Sequence, residues 1–241
     1  MTSKEAIQVN FRRVQERIAE AAISAGRDPQ DVSLVTVTKG KPLEIVQAAI
    51  AAGANILGEN YPEEGRTKIL ATSDQHGIQW HMIGHIQSRK ARIVCEHYNF
   101  AHSLDSLKLA RRLNRFSIEL DITLQVLLEF NVSGEPSKFG WRAQDQDNWN
   151  RLLPEISEIT KLPNIEMRGL MTIAPIVSDS AESRLYFQRL RELRDFIASQ
   201  FPQNSWDELS MGMSADFESA IMEGATMVRV GSAILGPRRN I

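Results

Sequence analysis

"VSLVTVTKGKPLEIVQAAIAAG", residues 32–53, is the stretch from which a fold class follows. Its first eight residues, VSLVTVTK, are apolar and β-branched enough for a strand. After the GKP turn, LEIVQAAIAAG reads as a helix, with Pro42 near its first turn and Gly53 past its end. Strand, turn and helix in this order make one βα unit. The strand ends in Lys39, which admits two readings. A solvated strand-end lysine is one, and an amine held at the mouth of a barrel, able to trap a carbonyl, is the other.

Outward from this unit the alternation continues. Upstream, Ile7, Phe11, Val14, Ile18 and Ala22 recur at helical spacing within residues 4–25, with Arg and Glu on the other face. Downstream, strands are predicted at 55–60, 78–84, 99–104, 122–130, 165–173, 206–212 and 226–233. Helical segments lie between them, so each strand but the last is followed by a helix. Pro154, inside DNWNRLLPEISEIT, predicts a break or a late helix start. Alternating βα units give a parallel sheet. Eight of them in 241 residues point to a closed (β/α)8 barrel of the α/β class with an extra N-terminal helix. An open doubly wound sheet is the competing arrangement. With no linker or composition shift, residues 1–241 read as one domain.

Composition narrows the function classes. The chain is 42% hydrophobic and 24% charged, with a net charge of −2, which points to neither a nucleic-acid nor a membrane partner. The single cysteine, Cys95, excludes an internal disulfide and fits a reducing compartment. The N-terminus lacks the apolar core of a signal peptide, so a cytoplasmic protein is expected. The sequon at Asn131 is discounted accordingly.

In such barrels the chemistry sits at the C-terminal strand ends, and anions bind after the last two strands. Lys39 and Asn60 end the first two strands, and the third closes in WHMIGH. The seventh runs into SMGMS, with hydroxyls at Ser210 and Ser214 before the helix ADFESAIMEGA. Ser214 also suits a helix N-cap. Asp216 and Glu218 would partly repel an anion there. The eighth runs into RVGSA, where Gly231 allows close backbone approach and Ser232 adds a hydroxyl. Period-two alternation separates Met227, Arg229 and Gly231 from Val228 and Val230, which aims Arg229 into the barrel mouth. It reads either as half of an ion pair with Glu59 or Glu129, or as an arginine beside a ligand ring or anion. Inward alternation of Val35, Val37 and Lys39 would deliver an amine to the same mouth. Burial and a nearby arginine would lower its usual pKa of ~10.4 and favour the nucleophilic form.

These residues lie in segments that resemble one family closely. WHMIGHIQSRKARIV (80–94), TVTKGKP, LGENY, RGLMTIAP (168–175) and LSMGMSADFESAIMEGATMVRVGSAILG (209–236) together resemble the pyridoxal-phosphate homeostasis proteins, which are similar to the barrel domain of bacterial alanine racemase. The resemblance covers nearly the whole chain. It implies a single-domain fold-type III barrel carrying pyridoxal 5′-phosphate (PLP), with Lys39 as the Schiff-base lysine and Arg229 at the pyridine nitrogen. Ser210, Met211, Gly212, Gly231 and Ser232 fall at phosphate-binding positions, and Asn60, His81 and Met82 near the ring. No metal and no catalytic residue is implied. His81 also reads as a satisfied core histidine, and Lys138 as either a secondary acceptor for the aldehyde or a solvated loop lysine. The chain departs from the family pattern at Pro62 and Glu63, at Ser232, where threonine is commoner, and at Leu235, often phenylalanine.

An arginine at the pyridine nitrogen only donates, which weakens the ring as an electron sink. A racemase would also need a second acid/base group, and in alanine racemase that is a tyrosine of a separate domain. Only PRRNI follows Gly236, and Tyr61, Tyr98 and Tyr186 all lie within the barrel sequence. A monomeric PLP carrier that buffers the aldehyde or hands it to recipient apoenzymes, with no strong turnover, is therefore expected. The alternatives are a PLP-dependent racemase or lyase using Tyr61 or His81, and a phosphosugar enzyme with an aldolase-like lysine.

Overall fold

The computed structural model describes residues 3–175 and 180–237. The predicted first unit forms as strand β1 (Ser33–Val37) and helix α2 (Leu43–Ala51), preceded by α1 (Ser3–Ser24). The other strands are β2 (Ile56–Glu59), β3 (Gln79–Met82), β4 (Phe100–Leu104), β5 (Leu124–Asn131), β6 (Trp141–Arg142), β7 (Ile165–Met171), β8 (Glu208–Met213) and β9 (Met227–Val230). All their pairings are parallel. The order β4-β3-β2-β1-β9-β8-β7-β5 closes on itself through β4 and β5, so eight strands form a barrel and no open sheet remains. The short β6, which has no counterpart in the sequence pattern, adds to the end of β5 outside the ring.

Helices follow as α3 (Pro62–Ala71), α4 (Ala91–His97), α5 (Leu107–Glu119), α6 (Leu153–Ile159), α7 (Ser180–Gln200), α8 (Phe217–Met222) and α9 (Ser232–Leu235). Pro154 lies in the first turn of α6, the predicted late start, where its missing N–H costs nothing. The last strand is shorter than its sequence pattern: the chain turns at Gly231 and residues 232–235 are helical, so the eighth barrel strand has a following helix after all. Residues 238–241 of PRRNI lie outside the described residues.

Two apolar clusters separate by strand face. The larger one joins alternate strand residues such as Leu57, Val126, Leu128, Phe130, Val228 and Val230 to the helices. The smaller one, Val35, Ile83, Phe100, Leu127, Met171 and Met227, contains no helix residue and fills the barrel interior. Parallel register keeps neighbours on one face: Val35 stands opposite Arg229, and Met171 opposite Ser210. The interior therefore carries polar groups beside apolar ones. Among the described residues no helix is long and apolar enough to cross a membrane.

Candidate functional site

β1 leaves the barrel through the turn Thr38–Lys41, closed by Lys41 N–H donating to Thr38 O at 3.1 Å. Gly40 takes a positive φ of 68° that favours glycine. Lys39 is half-buried in this turn. Both of its neighbours are held. The Thr38 hydroxyl donates to Glu59 at 2.6 Å, and Gly40 N–H donates to Glu64 at 2.6 Å. Beneath the turn, the buried Lys68 ammonium of α3 donates to Thr38 O (2.8 Å), Glu59 (2.7 Å) and Glu64 (2.6 Å). Burial raises the Glu59 pKa against the opposing pull of Lys68.

Arg229 does face the barrel interior, and it is buried there. It donates to the Ser210 hydroxyl at 2.5 Å and to Thr172 O at 2.7 Å. No carboxylate of the described residues lies within ion-pair distance, so neither Glu59 nor Glu129 is its salt-bridge partner. Burial pulls its pKa down to about 10, opposed by Glu129 and Asp216, and the guanidinium stays charged at neutral pH. Ser210 Oγ lies 2.9 Å from His102 Nδ1, and His102 Nε2 lies 2.9 Å from His81 Nδ1. A four-member polar chain thus crosses the interior. Burial holds His81 down to about 3 and His102 well below the usual histidine range, so both rings are neutral. His81 Nε2 has no partner.

The rim after β8 and β9 is pinned by Ser214, whose hydroxyl accepts from Gly231 N (3.3 Å) and Ala233 N (3.4 Å). Ser214 is not the helix cap. Asp216 occupies the N-cap of α8, and its carboxylate accepts from Met213 N at 2.7 Å. Glu218 is paired with Arg17 of α1. The two acids expected to repel an anion thus each have a partner. Gly231 runs close to β1: a Cβ there would meet Val37 O at 3.1 Å and Val37 Cβ at 3.2 Å. Gly212 combines a φ of 88° with a close approach to Phe217 and Ala220 of α8.

Not every predicted residue reaches the mouth. Met82 lies on the other face of β3 from His81 and packs in the helix-facing cluster, because alternation sends only one of two neighbours inward. Met211 packs in the same cluster, which leaves its backbone alone for a ligand. Ser210 is fully buried with its hydroxyl engaged by Arg229 and His102, below the rim rather than on it. Ser232 is exposed at the start of α9. Lys138 is not simply solvated, since its ammonium donates to Ala174 O at 3.4 Å and lies 4.0 Å from Glu135. Asn131 is buried and its amide is bonded to Glu135 O, Ser133 and Gly134, so the sequon is structural.

A cavity of about 470 Å³ opens at the ends of β2, β3 and β5, lined among others by Asn60, Tyr61, Gly84, His85, Glu129 and Phe139. Asn60 Oδ1 and Glu129 Oε2 are buried without partners. Burial, reinforced by Asp105, pushes Glu129 up to about 7. Sequence reasoning missed His102, Thr172 and the Lys68 cluster. The signal that could have found His102 is its shared parity with Phe100 in β4, although the register shift between Ala101 and Leu104 then turns Leu104 to the helix-facing cluster.

Fold and site together define a class: the chain matches the family described as alanine racemase, N-terminal domain, over residues 3–239. A pyridoxal phosphate homeostasis protein of Vibrio alginolyticus is 42% identical over 96% of this chain and 97% of its own. One from Pseudomonas aeruginosa is 44% identical over 96% of each. The PLP-bound structure of PipY from Synechococcus elongatus superposes with a TM-score of 0.79 at 37% identity, covering 91% of this chain and 100% of that one. This chain belongs to the pyridoxal phosphate homeostasis family within that barrel class.

Proposed function

We propose that this chain binds PLP through Lys39 and carries or buffers it in intracellular vitamin B6 homeostasis. The observation that carries this reading is the β1–β9 register, which sets the buried Arg229 opposite Val35, in the strand that ends at the Lys39 turn. Relatives named for PLP homeostasis, at 42% and 44% identity over nearly their full length, support it.

The residues present fit such a group. Bound PLP supplies an aldehyde that condenses with a primary amine, giving a C=N bond and one water, together with a phosphate for anchorage. Lys39 is the amine. Arg229, charged and donor-only, suits the lone pair of an unprotonated ring nitrogen, while Ser210 and Thr172 O hold the guanidinium in place. Gly231, with no side chain against β1, and the Ser214 clasp between the two last loops shape the anchorage for the phosphate, with Ser232 and the backbone at Met211 and Gly212 beside them. The unpartnered Asn60 Oδ1 gives the mouth a further acceptor.

A carrier is favoured over a racemase or lyase. Tyr61 is 59% exposed at the N-cap of α3, and His81 is bound to His102 inside the barrel, so neither is a ready second acid/base group. The whole barrel acts as one cytoplasmic domain, a monomer whose partners are PLP and recipient apoenzymes. The test is uptake of PLP by the purified chain, read as visible absorbance, with an amino-acid panel alongside. Turnover well above that of free PLP would replace the carrier reading with an enzymatic one.

A further inference from the structure

The least expected charged group in the fold is Lys68. Lysine is almost never fully buried unless paired, yet Lys68 is 5% exposed and all three of its ammonium hydrogens have an acceptor. Those acceptors converge on one place. Thr38 O precedes Lys39 directly. Glu59 also takes the Thr38 hydroxyl, and Glu64 also takes Gly40 N–H. The residues on both sides of Lys39 are thus tied to one ammonium carried by α3, and Gly40 holds the left-handed backbone that lets the turn close.

A buried ion cluster of this kind is a poor source of net stability, because desolvation offsets most of the Coulomb attraction. Its geometric consequence is more specific. Bonding the carbonyl of residue 38 and the amide of residue 40 to fixed charges removes the two peptide rotations that would swing the residue between them. A lysine side chain has four rotatable bonds of its own, so a fixed backbone origin limits where its amine can reach.

We propose that Lys68 is a positioning residue for Lys39: through Thr38, Glu59 and Glu64 it fixes the Thr38–Gly40 turn so that the Lys39 amine meets the PLP aldehyde. This rests on the reading of Lys39 as the covalent attachment point. Lys68 itself forms no bond to the ligand. In the step it supports, the neutral Lys39 amine forms a C=N bond to the aldehyde carbon. Its two N–H bonds and the C=O bond break, the two hydrogens leave with the oxygen as one water, and there is no change of oxidation state.

The experiment compares the wild-type chain with Lys68→Met, Lys68→Arg, Glu64→Gln and Lys39→Ala in two measurements. The first is the rate of covalent capture of PLP, followed by visible absorbance and by borohydride-trapped mass. The second is equilibrium binding of pyridoxine 5′-phosphate, which carries the same ring and phosphate but an alcohol in place of the aldehyde. A misplaced reacting group costs one to two decades in rate, so Lys68→Met should capture PLP at least about tenfold more slowly and bind the alcohol analogue within about twofold of wild type. Lys68→Arg should recover part of the rate. Glu64→Gln, which loosens only the partly exposed edge of the cluster, should show a smaller slowing of the same kind, and it answers the question if Lys68→Met fails to fold. Capture by folded Lys68→Met, or by Glu64→Gln if that alone folds, at the wild-type rate would overturn the proposal. So would a loss of analogue binding in step with capture, which would mark Lys68 as a general structural residue. Failure of the wild type to capture PLP, or undiminished capture by Lys39→Ala, would instead overturn the attachment reading on which the proposal rests.

Discussion

Arg229 Nη1 donates to Ser210 Oγ at 2.5 Å, deep in the barrel, and the same hydroxyl oxygen lies 2.9 Å from His102 Nδ1. The serine sits between a cation and a neutral imidazole, so its hydroxyl orientation decides which nitrogens of the histidine pair carry protons. A guanidinium buried without a carboxylate at ion-pair distance would be costly if its donors went unmet. Ser210 and the Thr172 carbonyl meet that need and fix the plane of the group.

Removing the hydroxyl should therefore be felt twice. In Ser210→Ala, an Arg229 donor and His102 Nδ1 lose a buried partner together, and a stability loss of about 1–3 kcal/mol is expected from the unsatisfied groups. Chemical denaturation of the two proteins measures it. PLP retention should fall as well, because the arginine is no longer held.

Arg229→Ala separates attachment from retention. The variant should still form the covalent link through Lys39 but lose PLP faster on dialysis than wild type. Time-resolved loss of visible absorbance during dialysis checks this, and unchanged retention would remove Arg229 from the site.

Glu129 gives a pH signature. Burial lifts its carboxyl from an ordinary 4.5 to about 7, so the folded state holds a proton that the unfolded chain releases. Its contribution is fully present below about 4.5 and is lost as pH rises through 7, a change of about 3 kcal/mol for a shift of this size. Glu129→Gln should therefore gain stability relative to wild type between pH 5 and pH 8, by denaturant midpoints at both pH values. A constant difference across that range would contradict the placement of this carboxyl.

His81 predicts the opposite slope on the acid side. With its folded pKa held near 3, the unfolded chain takes up a proton below about 6.5 that the folded chain refuses. Stability should fall as pH drops from 6.5 toward 4, and more steeply in wild type than in His81→Gln. Thermal midpoints across this range measure it.

The barrel was legible because each strand carries a run long enough to pattern and each helix a stripe. β6 escaped because two residues, Trp141 and Arg142, form no pattern. The last strand read too long because Ser232, Ala233 and their neighbours suit helix or strand, and the turn at Gly231 decides between them. At the site, the inward Arg229 follows from simple alternation, whereas only the resemblance puts Met82 near the ring, against its own parity with His81. The Lys68 cluster was hidden for a different reason. Glu64 and Lys68 look like an ordinary surface pair four residues apart, and only the packing of α3 beneath the β1 turn brings Glu59 and Thr38 to the same ammonium.

The most direct test is absorbance of the purified chain after incubation with PLP and removal of the excess, in wild type and in Lys39→Ala. A visible band that persists in wild type and is absent from the variant is the predicted result. A colourless wild type, or a band that survives loss of the lysine, would contradict the account.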